Sequence, residues 1–586
     1  MAEYAAIAGF FYETAGLPAR HSLSRLGGCS RSRLLDFVVR DDLRGKAMRI
    51  GLVVIGALVG CAGAPASVVA APSCSVEALN ALRVPDINVT DAKPVAGAGT
   101  APAYCDVLGT VVTRGAGVAE GLARFAMQLP EAWQQRFLFL GVGGNAGNLM
   151  PSANVTDRNS ALGKGYATIL TDTGHVGDGL SAKWTRLPDG RPDTVKRADF
   201  SYRAAHNVTV AGKAFAKAYY AAKVEHAYFD GCSTGGRMAM MEAGRYPEDY
   251  EGVIVGDPLM SSITSAARAV VQNAALSSPA AYIPEATIAG IDARITARCD
   301  AIDGAKDGLV QNPSSCPVHA EDLLCHAGEI EACLNADQMR VLKSYTSPFR
   351  DMRGHVLFGP WAITDLSGAQ GFAFNVAGLT APDLSDRASP WKAPKAAPRS
   401  WALVKEMLTY WLGLGPSATV ADLDIDPDTN TVGDKTLAMM IASYAEGDTR
   451  DPALLKPFIA QGRKMILYHG ASDPSIPASQ SITFYRELAV QQQGIERTQE
   501  NVRLFLVPGM HHCSGGPAPD RFDTLSAIEA WVEHGKAPDA IQASTKPESP
   551  VQHRLPLCPY PQQARYRGTG EITDPSNWAC AAGTAE

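Results

Sequence analysis

Phe229-Asp230-Gly231-Cys232-Ser233-Thr234-Gly235-Gly236 is the stretch on which the fold turns. Residues 231–235 fit G-x-S-x-G, a pattern whose meaning depends on what flanks it. Ala227-Tyr228-Phe229 reads as a short buried strand, and residues 236–246 carry apolar positions at helical spacing. The glycines permit the sharp strand-to-helix turn that lifts the Ser233 hydroxyl clear of a sheet. The helix N-terminus and the Thr234 amide then face any oxyanion that develops on a bound acyl group. A serine nucleophile on a strand-turn-helix elbow is the expectation.

Working outward, residues 136–140 and 166–170 read as buried strands, the first running into the glycine loop 141–147. A helix is expected over 202–222 and a further strand over 252–255. Apolar strands alternating with helices predict an α/β fold with a mostly parallel central sheet, covered on both faces. That alternation stops after Pro258. Residues 259–460 hold four cysteines, many Pro and Gly, and several amphipathic helices, and read as an inserted lid. Strands resume at 464–468 and 502–507, followed by a helix over 524–534 and a Pro-rich tail from 537 that should wrap the surface. The core is therefore expected in two parts, 72–258 and 461–586.

A serine nucleophile needs a base and an acid to orient it, in the chain order Ser, acid, His for this arrangement. Asp473 follows the strand 464–468 in the loop His469-Gly470-Ala471-Ser472-Asp473. His511 and His512 follow the next strand, and either suits the base chemically. His469 is a weaker rival that reads as a loop residue packed near the site. Cys232 precedes Ser233 and Cys513 follows His512. A bond between these cysteines would hold their Cα atoms within ~7 Å and tie nucleophile to base, which selects His512 over His511.

The remaining chemistry lies in an acidic loop. Asp300, Asp303 and Asp307 are spaced by glycines between Cys299 and Cys316. Crowded carboxylates repel unless a cation neutralises them, and Ca²⁺ accepts such oxygen shells. A solvated acidic turn is the plainer alternative.

The chain has 586 residues, 46% hydrophobic and 19% charged, with a net charge of -7. This composition suits a folded globular protein and gives no electrostatic footprint for nucleic acid. Met48-Arg49 and the apolar run 50–59 resemble an export signal starting at an internal methionine, with residues 1–47 upstream of the true start. Leu58-Val59-Gly60-Cys61 also matches a lipoprotein signal, which would anchor the chain to a membrane through Cys61; cleavage near Ala70-Ala71 is the other outcome. The apolar run is too short to span a bilayer, which takes ~20 residues. Export makes disulfides the expected state of the ten cysteines beyond Cys61, which show no zinc spacing.

These residues resemble the tannase/feruloyl esterase family of α/β-hydrolases. The resemblance rests on Tyr202 to His206, Phe229 to Met238, Arg245 to Tyr250, Gly252 to Pro258, the Asp300 loop, Gly470 to Asp473, and His512-Cys513. It implies an α/β-hydrolase fold with a large inserted lid and a Ser233, Asp473, His512 triad beside a Cys232–Cys513 bond. It also implies a structural Ca²⁺ held by Asp300, Asp303 and Asp307 with the carbonyls of Ala305 and Leu309, and no organic cofactor. The other cysteines would pair as Cys74–Cys105, Cys299–Cys316, Cys325–Cys333 and Cys558–Cys580. The second oxyanion donor should come from the glycine loop, with Gly144 chosen within it.

The implied substrates are small aromatic esters, hydroxycinnamoyl (feruloyl) or galloyl first and a terephthalate monoester second. Trp361, Phe372, Phe374, Trp401, Tyr410 and Trp411 are candidate walls for a phenolic ring, each with an equal claim as lid core. Arg399 is a candidate partner for a substrate carboxylate. A reading of another class is a non-catalytic, calcium-stabilised, lipid-anchored binding protein. Nothing in the chain specifies an oligomeric state.

Overall fold

A computed structural model describes residues 72–583, which belong to one compact unit. The expected export signal with Cys61, and residues 1–47, lie outside the described residues.

The core is a nine-stranded sheet. Its strands are β1 (Ile87–Val95), β2 (Tyr104–Thr113), β3 (Gly121–Pro130), β4 (Arg136–Leu140), β5 (Tyr166–Thr171), β6 (His226–Cys232), β7 (Gly252–Gly256), β8 (Lys464–Gly470) and β9 (Val502–Val507). They lie in the order β1-β2-β3-β5-β4-β6-β7-β8-β9. From β5 to β9 all neighbours are parallel. These strands read as unbroken apolar runs because helices cover both faces: every residue of β5 and β7 is buried. The first three strands form an antiparallel meander. There β2 alternates inward and outward residues, the sign of a sheet with one wet face. No strand is expected from the sequence before residue 136, and the structure adds this meander there.

The helices that matter for the site are α1 (Ala204–Tyr220), α2 (Thr234–Arg245), α3 (Ile263–Ala275), α4 (Arg399–Glu406) and α5 (Thr524–His534). α5 starts on Asp523, whose side chain accepts from the Ser526 amide, and stops at Gly535 with φ 67°.

Two parts of the chain differ from expectation. Within 259–460 the structure adds a four-stranded sheet of Phe349–Asp351, Val356–Phe358, Ile425–Asp426 and Thr431–Val432. Strands of two or three residues are too short to show a period of two, so the sequence gives no sign of them. The tail beyond 537 also forms strands, Ile541–Ser544, Arg554–Leu557, Gln562–Tyr566 and Trp578–Ala582. The five cysteine pairs implied by the family resemblance are all bonded.

Candidate active site

β6 runs through Cys232 and α2 begins at Thr234, which leaves Ser233 alone to make the turn. Its backbone sits at φ 63°, ψ -122°, a strained conformation for a residue with a Cβ. The strain is held by the Ser233 amide donating to the Gly256 carbonyl (2.9 Å) and the Ser233 carbonyl accepting from the Arg237 amide (3.0 Å). The turn is too tight for side chains on either side. A Cβ at Gly231 would lie 2.4 Å from the Gly235 carbonyl oxygen, and one at Gly236 2.4 Å from that of Gly256.

The strand ends bring the other two residues to the same edge of the sheet. Asp473 follows β8 and His512 follows β9, both at the C-terminal ends of parallel strands, where such sheets place their ligands. His512 bridges them, with Nε2 2.9 Å from Ser233 Oγ and Nδ1 2.7 Å from Asp473 Oδ2. Asp473 Oδ1 accepts from the amides of Ser475 (2.7 Å) and Ile476 (3.0 Å), so the carboxylate cannot rotate. Burial opposes its ionisation. The neighbouring His512 and His469 outweigh that and hold the carboxyl well below the usual carboxylate range.

The rival histidines are engaged elsewhere. His511 is fully buried and its Nε2 lies 2.7 Å from the Asp365 carbonyl. His469 belongs to β8 itself rather than to the loop after it. Its Nδ1 meets Ser481 Oγ at 2.8 Å and its Nε2 the Ile476 carbonyl at 3.0 Å. The Cys232–Cys513 bond, with Cα atoms 6.1 Å apart, joins the residue before Ser233 to the residue after His512.

The glycine loop docks onto the start of α2 through a hydrogen bond from Thr234 Oγ1 to the Gly144 carbonyl (2.6 Å). The Asn145 amide is taken by the Gly179 carbonyl (2.8 Å), whereas the Gly144 amide has no acceptor among the described residues. Gly144 and Thr234 line the cavity above Ser233 and His512, together with Arg399, Met407, Trp411 and Tyr444. Arg268 reaches the same cavity from α3 and donates to the carbonyl and hydroxyl oxygens of Ser475. Burial lowers the pKa of Arg268 to about 10 and also lowers that of Arg399; a guanidinium stays cationic at neutral pH. Arg399 makes no ion pair among the described residues.

Of the lid residues singled out from sequence, Arg399 and Trp411 line the cavity and Trp401 does not. Trp401 is two residues beyond Arg399 on α4, about 200° round the helix, and packs on Trp391 at 6.0 Å. Trp361 and Phe372 pack on Tyr345 in the lid core. Sequence reasoning missed Arg268 and Tyr444; an arginine as the single charged residue of α3 was the available signal.

A serine, a bridging histidine and a buried carboxylate recur in this geometry on unrelated folds, so geometry alone names no family. The profile of the family described as Tannase and feruloyl esterase matches residues 105–581, most of the chain. The chain belongs to that family. This family member is 33% identical over 542 residues to a mono(2-hydroxyethyl) terephthalate hydrolase of Piscinibacter sakaiensis, covering 84% of this chain and 87% of that one. Its fold matches feruloyl esterase B from Aspergillus oryzae with a TM-score of 0.69 at 26% identity, over 86% of this chain and 99% of the other. Tannin acyl hydrolase from Aspergillus niger shares the fold at a TM-score of 0.64 and 20% identity, over 88% and 97% of the two chains. The family member described here is therefore a carboxylic ester hydrolase with the α/β-hydrolase fold.

The acidic loop offers a second centre. Asp300 Oδ1 accepts from the amides of Asp307 (3.1 Å) and Gly308 (2.9 Å), and Asp303 Oδ1 from that of Ala305 (2.9 Å). The other oxygens of Asp303 and Asp307 are buried without a hydrogen-bond partner, though the buried His553 Nδ1 lies 3.6 Å from Asp307 Oδ2. Burial and the adjacent carboxylates push the Asp303 carboxyl up to about 7. Hard oxygens buried and unpartnered suit a calcium ion. The three carboxylates do not bring one oxygen each within 4.8 Å of one another, so carbonyl oxygens would have to complete the shell.

Proposed function

We propose that the protein is an exported aromatic-ester hydrolase in which Ser233 is the nucleophile, His512 the general base and Asp473 its orienting acid. The observation that carries this reading is the His512 imidazole, 2.9 Å from Ser233 Oγ and 2.7 Å from Asp473 Oδ2, at the floor of a cavity walled by Trp411 and Tyr444. His512 Nε2 takes the Ser233 proton as Oγ attacks the ester carbonyl. The amides of Thr234 and Gly144 receive the oxyanion. His512 then returns the proton to the leaving alcohol, and water activated by the same imidazole releases the acid. Five disulfides support export to an oxidising compartment. Lipidation of Cys61 or cleavage near Ala71 remains part of this proposal. Among the described residues no helix is long and apolar enough to cross a membrane.

Hydroxycinnamoyl and galloyl esters are the first substrate class. A terephthalate monoester is the second, and one observation favours it: Arg399 is a half-buried cation on the cavity wall without an acidic partner among the described residues. A panel of feruloyl, galloyl, chlorogenic and terephthalate monoesters separates the classes. If Arg399 receives a carboxylate, Arg399→Gln should lower kcat/KM on the terephthalate monoester by about 10- to 100-fold, the worth of a charged hydrogen bond. Neutral feruloyl esters should change by less than about threefold. Equal losses on both would remove the carboxylate subsite. The binding-protein alternative predicts no labelling of Ser233 by a fluorophosphonate.

The calcium reading extends to Asp300, Asp303 and Asp307 with the carbonyls of Ala305 and Leu309, supported by the two buried carboxylate oxygens that lack a hydrogen bond. The ion would neutralise the loop and take no part in acyl transfer. Chelation should lower the Tm by several degrees and slow hydrolysis little below the new transition. A Tm that does not move in excess chelator would end the proposal.

A further inference from the structure

Ester hydrolysis leaves unused a buried group of ionisable side chains around Glu242. Glu242 lies on α2 nine residues beyond Ser233, about 13 Å along the helix axis. It meets His206 from the first turn of α1 and Asp249 from the turn that follows α2. Each of the three offers one ligand atom within 4.8 Å of the other two.

Glu242 is fully buried and neither carboxylate oxygen has a hydrogen-bond partner. The nearby ammonium does not supply one. Lys213 donates to the main-chain carbonyl of Asp249 and lies 3.8 Å from Asp249 Oδ1. His206 Nδ1 is 2.8 Å from Asp249 Oδ2, and the Tyr246 ring stacks on the imidazole with centroids 3.4 Å apart, which fixes its plane.

An isolated buried carboxylate is costly unless a proton or a cation neutralises it. A proton would cancel the charge but leave both oxygens still lacking partners. A metal ion satisfies charge and oxygens together and draws on Asp249 and His206 as well. One imidazole nitrogen with two carboxylates suits a zinc-type ion rather than calcium, which prefers oxygen alone. The His206 side chain keeps 24% of its surface exposed, so an ion can reach the group from solvent.

We propose that His206, Glu242 and Asp249 form a second, structural metal site for a zinc-type divalent ion, which ties the end of the nucleophile helix to α1. It is separate from the acidic loop in both residues and ligand chemistry, and does not depend on the assignment of the esterase triad.

The test uses the mature protein in calcium-containing buffer, so that the acidic loop stays as it is, after dialysis against a zinc-selective chelator. Zinc is then titrated by calorimetry while the Tm is followed. Wild type should take up one equivalent and gain several degrees. Glu242→Gln and His206→Gln should each weaken that binding by about tenfold or more and lose the zinc-dependent rise in Tm. Glu242→Gln should keep a near wild-type Tm without zinc, because a neutral amide imitates a protonated carboxyl. Zinc uptake equal in wild type and both variants, or none in wild type, overturns the proposal. Should Glu242→Gln fail to fold, as ester hydrolysis would reveal, the partly exposed His206→Gln decides alone.

Discussion

Ser233→Ala should lower kcat on a chromogenic acyl ester by about 10⁴- to 10⁶-fold with little change in KM, the scale seen when a triad nucleophile is removed. The loss is chemical rather than structural. Ser233 sits at φ 63°, and alanine carries the same Cβ, so the substitution adds no backbone strain. Its amide would still donate to Gly256, and the Cys232–Cys513 bond would still hold the elbow to the His512 loop. The cavity and the Thr234 and Gly144 amides would remain, which is why binding should persist. Steady-state kinetics on purified protein provide the measurement. Activity within tenfold of wild type would remove Ser233 from the mechanism.

Asp473→Asn should cost about 10⁴-fold in kcat, because it reverses the histidine tautomer. Asp473 Oδ1 receives two backbone amides, from Ser475 and Ile476, and Oδ2 faces His512 Nδ1. An asparagine must turn its carbonyl oxygen to those two amides, since its NH₂ would meet N–H against N–H there. The NH₂ is then aimed at His512 Nδ1, which has to become the acceptor. The proton moves to Nε2, the atom that should take the Ser233 proton. The same substitution carries a pH signature. The native carboxyl is held below its ordinary value, so its stabilising effect is present above the unfolded pKa of about 4 and fades as pH falls through the depressed value. The variant should melt lower than wild type at pH 7, and the gap should narrow below about pH 4. A gap that stays constant down to pH 2 would show that the charge of Asp473 contributes nothing to stability.

Much of the site is visible before folding because its parts are local patterns. The G-x-S-x-G elbow sits between a strand and a helix, Asp473 follows a strand, and the cysteines beside Ser233 and His512 mark which histidine to choose. The 502–507 strand and the 524–534 helix appear in the structure at those bounds, since long apolar periods and an Asp cap are encoded within a few residues. The antiparallel meander was missed because antiparallel pairing is set between strands, not within one. The two- and three-residue lid strands carry too few positions for any period.

The sequence by itself determined the α/β class, the elbow, the candidate order Ser233, Asp473, His512, and the acidic loop, all of which depend on neighbours along the chain. Only the tertiary structure decided that Arg399 and Trp411 face the cavity while Trp401 turns to Trp391, and that Arg268 arrives from a helix 131 residues earlier. It also decided that His206, Glu242 and Asp249 meet around a carboxylate with no partner. The reason is physical. Which side of a helix faces a cavity, and which buried charge lacks a counterpart, depend on packing between segments far apart in the chain, and local periodicity carries no record of that distance.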